Sequence, residues 1–146
     1  MIRAFIDGGA RGNPGPAGYG VRIEDGDGAL VAELRGSLGI ATNNVAEYHG
    51  FIAALTWLAE HGHRDVEIRS DSELLVKQVR GDYKIKNEGL KPLAARARLL
   101  MMELDRVDLR HVRREENKDA DRLANLAMDE AEKARGKGEG RGEKSG

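Results

Sequence analysis

"AFIDGGARGNPGPAGYG", from Ala4 to Gly20, places one carboxylate, Asp7, where an apolar run gives way to glycine and proline. A glycine-rich loop behind a strand is the usual place for a phosphate cradle, because its backbone N–H groups face the ligand. A carboxylate at the mouth of such a loop repels phosphate. Either the loop holds something else, or Asp7 needs a cation to do the holding. "GGARGNPG" also lacks the Lys-Ser/Thr of a P-loop, which argues against a nucleotide-hydrolysing loop of that type.

Working outward, "RAFIDG" reads as a first strand and "GYGVRIED" as a second, with Tyr19, Val21 and Ile23 alternating along one face. "DGDG" at Asp25–Gly28 signals a hairpin turn, and "ALVAELRGSLG" follows as a third strand, giving an antiparallel meander. Beyond Asn43 the period changes. Tyr48, Phe51, Ile52, Leu55, Leu58 and Ala59 form one stripe of an amphipathic helix, capped by Asn43 or Asn44 and stopped by "HG" at 61–62. "DVEIRSD" reads as a fourth strand and "SELLVKQVRG" as a second helix. Lys91 to Glu103 reads as a third helix with Pro92 in its first turn. "DRVDLRHV" then makes a fifth strand, and "NKDADRLANLAMDEAEKA" a last helix with Ala120, Leu123, Ala124, Ala127 and Ala131 on one face. The expected fold is α/β: a mixed five-stranded sheet, three antiparallel strands then two parallel, flanked by helices. Residues 1–135 form one domain, and the Gly-rich, charged stretch 136–146 is expected to be disordered, since it has nothing to bury.

Composition narrows the chemistry. The 146 residues suit one domain with a real core. With no cysteine, disulfides, thiolate catalysis and Cys-based zinc sites are excluded. No apolar run approaches the roughly 18 residues of a membrane span, and Met1 leads straight into strand-like sequence, so a cytoplasmic protein without membrane contact is expected. The net charge of -1 announces no global basic field. Basic residues do gather between Lys77 and Lys91, and again at Arg106, Arg110, Arg113 and Arg114.

Ligands of mixed α/β sheets sit at the carboxyl ends of strands near a topological switch point. Asp7 ends the first strand and Asp71 the fourth. Glu47 lies in the first turns of the first long helix, and Asp121 one turn into the last. Each alone has an ordinary explanation, as a turn residue or a partner of the helix dipole. Four carboxylates near a buried stripe crowd one another unless a counter-charge intervenes. Hard, oxygen-seeking Mg²⁺ or Mn²⁺ suits them, and two such ions roughly 4 Å apart serve phosphodiester hydrolysis. "TNN" at Thr42–Asn44 opens the helix carrying Glu47, where backbone N–H groups, a hydroxyl and amides suit a phosphate or a 2′-hydroxyl.

"DGGARGNPGPAGYG", "TNNVAEY", "SDSELLVKQV" and "ENKDADRLAN" together resemble the successive motifs of type 1 ribonuclease H, in order and across the chain from Arg3 to about Ala134. The resemblance implies Asp7, Glu47, Asp71 and Asp121 as the catalytic, metal-binding set. It implies two Mg²⁺ ions, with Mn²⁺ as substitute, and hydrolysis of the RNA strand of an RNA·DNA hybrid to 5′-phosphate and 3′-hydroxyl ends. It further implies that Gly8, Ala10, Gly12 and Asn13 approach the RNA backbone and that Asn43 reaches a 2′-hydroxyl. Thr42 and Asn44 would grip a DNA-strand phosphate, with Ser72 and Glu73 in a further RNA-contact region. In this reading the glycines admit an RNA minor groove, with cleavage largely independent of sequence.

The chain departs from well-known members in two ways. "HVRREENKDAD" leaves no room for the histidine-bearing loop before the last catalytic Asp. His111 reads as a strand residue, and Arg114 is the candidate to supply positive charge near the leaving group. No Trp-rich basic protrusion follows the second helix, since the one Trp is Trp57. Lys84 and Lys86 remain as duplex-backbone contacts, with modest, strongly salt-dependent affinity expected. Both departures resemble the compact archaeal and actinobacterial branch, some of which also cut double-stranded RNA. The expected form is a monomer. The alternatives are a non-catalytic hybrid- or RNA-binding module on the same fold and another nuclease of the wider superfamily.

Overall fold

A computed structural model describes residues 1–145, with side chains to Gly136. The strands are β1 (Ile2–Ala10), β2 (Gly15–Glu24), β3 (Leu30–Ala41), β4 (Asp65–Ser70) and β5 (Arg106–His111). The helices are α1 (Asn43–Glu60), α2 (Glu73–Arg80), α3 (Lys91–Met102) and α4 (Lys118–Ser145), with a short 3₁₀ turn at Arg114–Glu116 before the last. The sheet order is β3-β2-β1-β4-β5. β1–β2 and β2–β3 are antiparallel, while β1–β4 and β4–β5 are parallel, as the sequence leads one to expect. The expectation of a disordered tail over 136–146 concerns a stretch whose side chains lie almost wholly outside the described residues.

Strand alternation sorts the layers. Ala4 and Ile6 of β1, Val21 and Ile23 of β2, and Val66 and Ile68 of β4 point to one face, where they form the core with Phe51, Leu55 and Leu58 of α1. The opposite face of β2 presents Gly18 and Gly20, on which α4 lies so closely that a Cβ at Gly20 would stand 2.5 Å from Leu123 Cβ and from Ala120 O. Ala120, Leu123, Ala124 and Ala127 are buried there. Bare backbone opposite small side chains is what lets this helix approach the sheet.

Two local expectations need correction. Asp7 does not end β1, because the strand continues through Ala10, paired with Ala17 of β2. What ends near Asp7 is the pairing with β4, whose last partner on β1 is Ile6. Small residues at Gly8–Ala10 do not break the ladder when a partner strand supplies the hydrogen bonds, so the true loop shrinks to residues 11–14. The cap of α1 is Thr42, whose Oγ1 accepts from the Val45 N–H at 3.2 Å, and neither Asn43 nor Asn44.

Candidate active site

Four elements bring the carboxylates to one cavity. Asp7 comes from the middle of β1, and Asp71 follows immediately on β4. Glu47 comes from the first turns of α1, and Asp121 from the first turn of α4. Gly8 makes the third of these possible: a Cβ there would run into the Ala46 carbonyl and the Glu47 N–H, so its missing side chain lets α1 descend onto β1. Packing alone thus requires a glycine here. Asn117 fixes the fourth member. Fully buried, it donates from Nδ2 to the Ile6 carbonyl at 2.8 Å, while its own carbonyl accepts from the Asp121 N–H at 3.1 Å.

The cavity measures about 660 Å³ and is lined by all four carboxylates with Gly8, Gly9, Ala10, Arg11, Asn43, Ser72, Arg114, Asn125 and Met128. Burial first, then the charge of Asp71 and a hydrogen bond with Asp121, push the Asp7 carboxyl up to about 8. Burial raises Glu47 too, opposed by hydrogen bonds from Ser72 and from Asn44, whose Nδ2 donates to Glu47 Oε1 at 3.2 Å. Burial also raises Asp71, against the pull of Arg114. Asp71 Oδ2 is buried without a hydrogen-bond partner, its nearest cation being Arg114 Nε at 3.9 Å.

These observations test whether a divalent cation suits the site. Among the described residues no three His, Asp or Glu side chains stand as a ready-made metal cage. The four carboxylates line one cavity all the same, and burial with the charges of Asp71 and Asp121 pushes Asp7 up. An all-oxygen donor set with an orphaned, buried carboxylate oxygen fits a hard divalent ion, which Asp7, Glu47, Asp71 and Asp121 would hold.

The other expected contacts divide. Gly8, Ala10, Asn43, Ser72 and Arg114 line the cavity. Asn43 Oδ1 accepts from the Ala10 N–H at 2.8 Å, and Asn13 Oδ1 accepts from the Asn43 N–H at 3.0 Å, so Asn13 braces the site from outside its lining. Gly12, at φ 91, turns the loop, and Thr42 caps α1. Lys84 lines a different groove, and Lys86 lies between α2 and α3. His111 is the last residue of β5, paired with Ser70, which agrees with its reading as a strand residue.

Sequence reading missed Gly9, Arg11, Asn125 and Met128. Arg11 pairs with Asp129 at 2.5 Å and Glu132 at 3.0 Å, both on α4. The helical spacing of Asn125, Met128 and Asp129 after Asp121 was the available signal, since it carries them along the same side of α4.

Comparison with known proteins agrees with this geometry. The family described as "Reverse transcriptase-like" matches residues 5–127. Ribonuclease HI of Halobacterium salinarum is 45% identical over 130 residues, covering 89% of this chain and 65% of that protein. Bifunctional protein Rv2228c of Mycobacterium tuberculosis is 45% identical over 126 residues, covering 86% of this chain and 35% of its own length. The chain therefore spans less than two thirds of these curated relatives. Among solved structures, that of LC11-RNase H1 in complex with RNA/DNA hybrid is 44% identical at a TM-score of 0.85, covering 90% of this chain and 99% of that one.

Proposed function

The chain belongs to the type 1 ribonuclease H family, and we propose that it is a metal-dependent endoribonuclease acting on the RNA strand of RNA·DNA hybrids, leaving 5′-phosphate and 3′-hydroxyl ends. The observation that carries this reading is the meeting of Asp7, Glu47, Asp71 and Asp121 in one cavity, with burial pushing Asp7 up and Asp71 Oδ2 unpartnered. Asp7, Glu47, Asp71 and Asp121 would hold two Mg²⁺ ions, or Mn²⁺ in their place. When bound, such ions activate a water and steady the departing 3′-oxygen.

The chain's own groups do the rest. Asn44 and Ser72 hydrogen-bond Glu47 and oppose the upward push of its burial. Asn117 keeps β1 and α4 in register, so that Asp7 and Asp121 stay opposed. The Ala10–Asn43–Asn13 chain of hydrogen bonds fixes the edge over which an RNA strand would pass, leaving the Asn43 Nδ2 to meet a 2′-hydroxyl. Arg114, with its side chain 84% exposed and facing Asp71, places positive charge where a leaving oxygen gains negative charge. We read the chain as acting as a monomer. We assign it to the cytoplasm.

The test uses labelled hybrid, double-stranded RNA and DNA duplex, each with Mg²⁺, Mn²⁺ or EDTA. Hybrid cleavage that needs the cation is expected, and Asp71→Asn should lower it by more than the roughly 10–100-fold typical of losing a residue that merely supports a metal ligand. Cleavage surviving EDTA would sink the proposal, and binding without cleavage would favour a non-catalytic module. The double-stranded RNA arm decides whether the substrate range extends that far.

A further inference from the structure

A second groove, of about 450 Å³, opens between the C-terminal end of α2, the 81–90 segment and α3. Its size falls within the roughly 300–1,000 Å³ of small-ligand pockets. Lys84, Lys91 and Arg98 all face it. Lys91 pairs with Glu88, which is 83% exposed on the rim. Among the described residues Lys84 and Arg98 have neither an ion pair nor a hydrogen bond. Cations gathered on one cavity repel each other unless an anion lies between them. Beside them Tyr83 presents a half-exposed ring, steadied by Lys77 Nζ at 4.9 Å from its centroid and 3.4 Å from its phenol oxygen.

The inner end of the groove is polar as well. A cavity of about 10 Å³ shares Gln78, Ile85, Ala94 and Arg98 with the groove and ends on Tyr48. Gln78 Oε1 and the Tyr48 hydroxyl are both buried there without a partner, and Tyr48 is only 1% exposed. There is room for about one water, which would serve the hydroxyl as acceptor and the amide oxygen as donor. Apolar packing does not leave two such groups open, whereas a wetted binding groove does.

We propose that this groove is a mononucleotide site, with the phosphate between Lys84, Lys91 and Arg98 and the base against the Tyr83 ring. An anion alone would answer Lys84 and Arg98, with Lys91 exchanging Glu88 for it, but would leave the ring idle. A base alone would answer the ring and leave the charges uncompensated. Stacking on an exposed aromatic joined to a nearby basic surface is the general way proteins hold a nucleotide unit. None of these residues lines the acidic cavity, and Lys84, expected from sequence as a duplex-backbone contact, is here assigned to the nucleotide phosphate instead.

Calorimetry on the full chain with AMP, adenosine and inorganic phosphate tests it. EDTA is present so that cations cannot hold the nucleotide at the carboxylates. One AMP per chain is expected, with amide shifts confined to residues 78–98 and at least tenfold weaker binding of adenosine and of phosphate. Arg98→Gln and Lys91→Gln should each weaken AMP at least tenfold while hybrid cleavage continues, which shows that the variants are folded. The proposal is overturned if AMP fails to bind at millimolar concentration, or if phosphate binds as tightly as AMP. It is equally overturned if an RNA·DNA hybrid displaces AMP competitively, because the groove would then be part of the duplex path.

Discussion

Asp7 carries the sharpest consequence at the scale of single residues. Its folded-state pKa of about 8 lies far above the ordinary 3.8. The folded protein therefore holds a proton that the unfolded chain releases as pH rises from about 4 to 8. Stability from this group is complete below the lower value and lost as pH rises through the upper one. In EDTA the Tm should fall between pH 5 and pH 9, and Asp7→Asn should flatten that decline in a scanning calorimeter. Mg²⁺ should raise the Tm more at pH 8 than at pH 5, with proton release visible as a buffer-dependent binding enthalpy. Arg114 makes a separate prediction. Exposed and 3.9 Å from Asp71, it should affect turnover and not ground-state binding, so Arg114→Ala lowers kcat about tenfold with KM little changed. Unchanged kcat would remove it from the mechanism.

At the scale of elements, the contact of α4 with β2 decides where Asp121 stands. Gly20→Ala would drive a methyl group into Ala120, Leu123 and Ala124. It should cost roughly 1–3 kcal/mol in denaturant unfolding and, by displacing α4, depress activity beyond the loss of folded protein. A variant with wild-type stability would show that α4 shifts freely there. Motif order pointed to the four carboxylates that line one cavity, and the mixed sheet was legible because hydrophobic period and turn chemistry speak through local sequence. The extension of β1 through Ala10 was not. Gly8 and Gly9 have no strand preference of their own, and only the facing stretch Ala17–Gly20 makes them part of a ladder. Arg11 was hidden for a related reason, since its partners Asp129 and Glu132 come near only once α4 has docked. The Asn at 43 suggested a cap, but its side chain serves Ala10, and the hydroxyl one residue earlier does the capping.

At the scale of the whole molecule, a net charge of -1 means that hybrid affinity depends on a small number of unneutralised cations. Many arginines are already answered by acids, as with Arg35 and Glu130 or Arg122 and Glu33. Log affinity should fall linearly with log salt, and Lys86→Gln should reduce the slope by about 0.9 if Lys86 meets one phosphate. An unaltered slope would place Lys86 off the duplex. The bond from Asn117 to Ile6 joins residues 111 positions apart, and Asp121 lies beyond it. On the ribosome, a chain that has released its first three strands, α1 and β4 already carries Asp7, Glu47 and Asp71 but has no way to close the site around them. In synthesis from the N-terminus the site is thus completed only when α4 emerges, so the order of translation dictates when the cavity can close.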